Sequence, residues 1–158
     1  MDADAHSALA KELNGAVWDA LAARDPGSGG GSNPGSDPGF DAALVDMAHA
    51  SLHHWRIAGG PLEAARGEWL VSHVYAVVGR GEPALHHARR SYDICVSEGF
   101  GGFDLAYAYE GMARALACLG SDAGDWKAKA SAAGAAIPDD EDRSIFQGDL
   151  AAGPWYGA

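Results

Sequence analysis

A block of residues surfaces three times in this chain at a spacing of about 41, and that repeat limits the possible folds more than any other feature. The middle copy reads Arg66-Gly67-Glu68-Trp69, then Tyr75-Ala76-Val77-Val78-Gly79, then Ala84-Leu85, Ala88, Ser91 and Ile94. Gly120 follows Gly79 by 41 residues, and Ala43, Met47 and Ala50 precede Ala84, Ala88 and Ser91 by the same interval. A unit of this length is one helix–turn–helix. It is too thin to bury its apolar face alone and must stack on its neighbours.

The helices follow from periodicity and punctuation. Leu9, Leu13, Val17 and Leu21 recur every four residues and predict a helix over residues 3–23. A second is expected over 41–58, stopped by Gly59-Gly60, with Pro61 opening the third over 62–78. The fourth (82–98), fifth (103–119) and sixth (125–137) end at Gly99, Gly120 and Pro138. Asp139, Asp140, Glu141 and Asp142 suit the N-terminus of a short seventh helix over 140–151 that caps the array. No segment alternates as a strand does, so the expected fold is a single all-α domain over residues 1–158. The tail Gly153-Pro154-Trp155-Tyr156 is expected to be extended or frayed, with aromatics able to tuck against the domain.

Residues 25–39 consist of Gly, Pro, Ser, Asp and Asn and are read as a flexible linker between the first two helices. Such a segment spans about 21 Å as a coil, more than the roughly 8–10 Å between neighbouring helices. Slack is the simple reading and a lid over one end of the domain the alternative.

Apolar residues make up 47% of the chain, enough for a core, but Ala and Gly supply much of it, so close contacts between small residues are expected. The formal charge of −11 opposes binding to phosphate backbones, so no nucleic-acid partner is expected. Cys95 and Cys118 lie in apolar helical patterns outside any CxxC, as reduced thiols would. The acidic start Met1-Asp2-Ala3-Asp4 has no apolar core of a signal peptide, and no run suits a membrane span. A cytoplasmic chain is therefore expected, with no membrane partner and no cofactor.

From Ala65 to Ile94 the sequence resembles a tetratricopeptide (TPR) repeat, on the strength of Tyr75-x-x-x-Gly79, Ala84-Leu85, Ala88, Ser91 and Ile94. Ser91 stands where TPRs usually carry alanine, and Leu116 where the aromatic of the next turn would be. The period exceeds the usual value of about 34, as in longer-helix TPR-like proteins. The strings Ala48-His49-Ala50-Ser51, His54-Trp55, Ala65-Arg66-Gly67-Glu68-Trp69 and Phe103-Asp104-Leu105-Ala106 are similar to those of a group of small bacterial TPR-like proteins, from which no activity carries over. The resemblance implies an antiparallel array of helix hairpins in a right-handed superhelix. It also implies that the first helix of each hairpin lines a concave groove.

Transferred to this chain, that implication selects Arg66, Trp69 and His73, and one period later Tyr107, Glu110 and Arg114. Each trio is spaced i, i+3, i+7 and so shares one helix face. A plain solvated face would favour Lys and Glu over Trp, His and Tyr. The expected function is a binding or scaffold module holding a peptide, a partner protein or a small anionic ligand. Arg66 and Arg114 would meet carboxylates, Trp69 and Tyr107 would stack, and Glu110 would orient Arg114.

Other constellations carry weaker chemistry. Asp46, His49 and His53 share a face that a divalent metal could use, though without HExxH or a fourth ligand. A buried Glu68 would find Ser72 and Tyr75 on its own face. An enzyme or metal-dependent protein using His49, His53, His73, Glu68 or Glu110 is the alternative reading, without a nucleophile elbow or phosphate loop to name a reaction. Phe100, Phe103, Trp126, Trp155 and Tyr156 are the patch expected to drive self-association into a homo-oligomer.

Overall fold

Side-chain caps decide where several helices begin in the computed structural model, which describes residues 1–24 and 37–158. Asp2 accepts from the Ala5 amide at 2.9 Å and opens α1 (Ala3–Ala23). Asp37 accepts from the Gly39 amide at 2.9 Å and Pro38 takes the first turn of α2 (Pro38–Ala58). Glu63 reaches back to the Gly60 amide at 2.8 Å over Pro61, the first residue of α3 (Pro61–Val77). Next come α4 (Gly81–Glu98), α5 (Gly102–Cys118) and α6 (Gly124–Ala135). Asp139 caps α7 (Asp140–Ala151) through the Asp142 amide at 2.8 Å. Gly79 and Gly120, with φ of 81° and 71°, make the left-handed turns that follow α3 and α5.

The described residues are all-α, with seven helices and no strand. None of these helices is long and apolar enough to cross a membrane. The reading of 25–39 as linker is corrected at its end, because an Asp cap followed by Pro is a helix start: Asp37 caps α2, and 38–39 belong to it. Residues 25–36, and with them the lid reading, lie outside the described residues.

Consecutive helices pack from α1 through α7, and α3 also packs directly on α5, while α7 lies against α5 and α6. α3 and α5 have the same length and start 41 residues apart, at Pro61 and Gly102. The second helices keep a different register. Leu44, Ala48 and Ser51 are the buried counterparts of Ala84, Ala88 and Ser91, an interval of 40 rather than the expected 41 through Ala43, Met47 and Ala50. The turn Gly99-Phe100-Gly101 is one residue longer than Gly59-Gly60, which absorbs the difference. Ser51 donates to the Ala10 carbonyl and Ser91 to the Ala65 carbonyl, both at 2.9 Å, so each buried hydroxyl ties a second helix to the first helix of its own hairpin.

Glycine permits the closest approaches. A methyl on Gly67 would lie 2.8 Å from Leu52 Cδ1, and one on Gly134 would lie 2.2 Å from Phe146 Cε1. Phe146 is thereby fully buried and pins α7 to α6. Gly134→Ala should destabilise the protein by about 1–3 kcal/mol through overpacking. Alanine would instead gain about 1 kcal/mol at an unhindered helix site. A urea midpoint that rises in this variant would show that Phe146 does not seat there.

Candidate functional site

The two trios do meet. Trp69 Nε1 donates to Glu110 Oε2 at 2.8 Å across the α3–α5 contact, a partnership spaced at the repeat interval of 41. The Trp69 ring stacks on His73 at 5.0 Å and meets Tyr107 edge-on at 4.9 Å. Arg114 Nε bonds Glu110 Oε1. They do not form an open groove, however. Glu110 and Arg114 are each 1% exposed, and Trp69 and Tyr107 are buried.

The chain's own C-terminus covers this face. Arg114 Nη1 donates to the carbonyls of Ala152 and Pro154 at 2.9 and 3.2 Å, and Nη2 to that of Asp149 at 2.9 Å. Those carbonyls belong to the end of α7 and its exit, where the helix has no internal donors left. Trp155 lies over the same guanidinium at 4.2 Å. Tyr107 donates to Asp149 Oδ2 at 2.5 Å, and burial together with that bond raises its pKa. Tyr156 bonds the Ala76 carbonyl at the end of α3, so the tail is docked rather than frayed.

Two expected ligand anchors are therefore corrected. Arg114 has Nε, Nη1 and Nη2 all engaged internally and is closed to a ligand carboxylate. Arg66 stays exposed, but Nε and Nη2 hold Asp104 at 2.7 and 3.2 Å, which cancels its charge toward an anion. The aromatics of the expected self-association patch are half-buried. Phe103, Trp126 and Trp155 pack against the core clusters, as does Phe100, while the exposed large apolar side chains include Ile57, Val96 and Ile145.

His73 is only partly buried as a residue, yet its Nδ1 is enclosed without a hydrogen-bond partner. Burial, with the Arg114 charge second, pushes its pKa down to about 3. It is neutral at pH 7, and its flat ring packs against both Trp69 and Trp18, two indoles that also stack on each other at 5.9 Å.

Beside the filled face an apolar pocket of about 260 Å³ remains. Trp18 of α1, Trp69 and Leu70 of α3, Phe103 and Tyr107 of α5 and Ile145 of α7 form its walls. Polar side chains enter the lining from Asn14, the Arg66–Asp104 pair and Asp149. Cys95 also lines it, with burial raising its thiol to about 11, so it is a neutral wall rather than a nucleophile. Sequence reasoning found Arg66, Trp69 and Tyr107 but missed Trp18, Asn14, Ile145 and Asp149, which reach the site from the first and last helices.

A second polar centre lies among α2, α3 and α4. Glu68 is 1% exposed and accepts from His87 Nδ1 at 2.7 Å, Arg90 Nε at 2.9 Å and Arg56. Burial alone would push its carboxyl up, but bonds from His87, Arg56 and Arg90 outweigh it and hold the pKa at about 2. Its partners are not those expected on its own helix, since Ser72 donates to the Ala84 carbonyl and Tyr75 pairs with His49. His49 uses Nε2 on the Tyr75 hydroxyl at 2.9 Å, whereas Asp46 and His53 are exposed. No group of three His, Cys, Asp or Glu side chains is arranged for a metal ion among the described residues.

Removing the Arg114 guanidinium leaves Glu110 buried and α7 uncapped, so Arg114→Ala should cost about 3–5 kcal/mol, measurable by urea unfolding. A loss below about 1 kcal/mol would contradict the sealed arrangement. The depressed histidine gives a second test. Its unfolded form gains a proton near pH 6.5 that the folded form refuses down to about 3, so its contribution falls as pH drops through that window. Between about pH 6 and 5 the wild type should lose close to 1.4 kcal/mol per unit more than His73→Phe. Parallel stability profiles would place an accessible proton site on His73.

No protein-family model matches the chain, and neither the curated proteins nor the solved structures yield a match.

Proposed function

We propose that this chain is a TPR-like binding module whose ligand is a small, mainly apolar molecule held in the pocket between α1, α3, α5 and α7. The observation that carries the reading is the pocket itself, about 260 Å³ with aromatic and aliphatic walls and polar groups from a few positions only. The α3–α5 stack at the repeat interval and the paired serine bonds support the hairpin array. A long peptide or partner protein fits less well, because α7 and the tail already occupy the face it would use. An anion fits less well because Asp149 and Asp104 face the space and the nearby guanidiniums are engaged.

2-Naphthalenemethanol is a suitable neutral probe. Titration calorimetry should detect saturable one-to-one binding. Ala65→Leu, which places bulk in the lining, should weaken it by about tenfold or more, a loss of at least 1.4 kcal/mol. Trp18→Ala removes one stacking face and should weaken it by roughly 2- to 10-fold. Unaltered binding in both variants would put the ligand elsewhere.

A further inference from the structure

The pocket reading above leaves the ligand's polar end unspecified, and the charges around the space specify it. Asp149 projects from α7 into the lining. Its Oδ2 accepts from the Tyr107 hydroxyl at 2.5 Å, and no cationic side chain of the described residues forms an ion pair with it. The two guanidiniums nearby do not supply that charge. Arg66 is matched by both carboxylate oxygens of Asp104. Arg114 lies behind the wall, matched by Glu110, and touches Asp149 only at its main-chain carbonyl. His73 is neutral at pH 7. Asp142, exposed on the same helix, is close enough to bias both Tyr107 and Arg66 electrostatically.

The space therefore combines surplus negative charge with ring faces from Trp18, Trp69, Phe103 and Tyr107. Aromatic faces attract cations, and a carboxylate bond to an ammonium is stronger than one to a neutral donor. The whole chain, at −11, also concentrates cations near its surface. Resting on the pocket reading, we propose that the natural ligand is an organic cation, an aromatic or aliphatic body carrying one ammonium group that pairs with Asp149.

Three probes of one shape separate this idea from the pocket reading: 2-naphthylmethylammonium, 2-naphthalenemethanol and 2-naphthoate, each titrated calorimetrically into the full chain at low salt. The ammonium should bind about tenfold or more tighter than the alcohol, and the carboxylate more weakly than the alcohol. In Asp149→Asn, an isosteric change that can still accept from Tyr107, the ammonium-to-alcohol ratio should fall to about one. Should that variant not fold, Asp142→Asn reads the same ratio from an exposed position, with an expected drop of about 2- to 3-fold that added salt abolishes. An alcohol that binds as tightly as the ammonium overturns the cation proposal and leaves the pocket reading standing. If none of the three binds, the pocket reading fails and this proposal goes with it.

Discussion

The buried guanidinium of Arg114 is the contact on which the rest of this structure depends. It sits on α5, pairs with Glu110 one turn earlier, and grips three main-chain carbonyls at the end of α7. An i,i+4 pair in solvent stabilises a helix by only a few tenths of a kcal/mol. Here both partners are out of water, so desolvation consumes much of the Coulombic gain. What makes the arrangement workable is that nearly every donor has an acceptor, with Trp69 supplying one more bond to the carboxylate. The pair therefore specifies where α7 docks more than it adds net stability. Phe146, filling the notch that Gly134 leaves, supplies the apolar burial that the ion pair does not.

Glu68 and Glu110 show two solutions to one problem. Both are buried carboxylates on first helices of successive hairpins, and both are met by local donors. Glu110 is matched by one guanidinium and an indole within a sealed interface. Glu68 is shared by Arg56, Arg90 and His87, with both guanidiniums half exposed. Surface screening weakens the second set, so a lost arginine there leaves a carboxylate that solvent and its other partners still satisfy. The Glu110 site has no such reserve.

Much of the architecture was legible because it is written in local patterns. Caps, Gly and Pro punctuation and apolar spacing placed seven helices, and the 41-residue interval placed Trp69 against Glu110 and Tyr107 near both. The register of the second helices was misread by one residue because an alanine-rich helix offers several equivalent faces. Ala43 and Leu44 are both apolar, and only packing shows that Leu44 is inside. The largest miss was what covers the face that carries the two trios. The trios Arg66, Trp69, His73 and Tyr107, Glu110, Arg114 look the same from sequence whether a ligand or the chain's own helix covers them. The choice depends on tertiary contacts of α7 separated by 35 to 42 residues from their partners, Asp149 to Arg114 and Tyr107. Trp18 and Asn14 were missed for the same reason, since the intervening segment carries no spacing that fixes how α1 sits against α3.

That docked helix changes what the pocket is. A groove in a repeat array would exist whatever the C-terminus did, but this space has Ile145 and Asp149 of α7 as part of its wall. The contact that organises α7 is thus also the contact that completes the pocket wall. A ligand touching Asp149 favours the state in which α7 is docked, and by linkage it stabilises that state by RT ln(1 + [L]/Kd), about 2.7 kcal/mol at a hundredfold excess over Kd. The converse follows from the same cycle: any change that loosens α7 lowers apparent affinity in proportion to the fraction left docked. Arg114, which a sequence reading casts as the residue that meets the ligand, instead holds α7 in place, and with it the carboxylate proposed to pair with one.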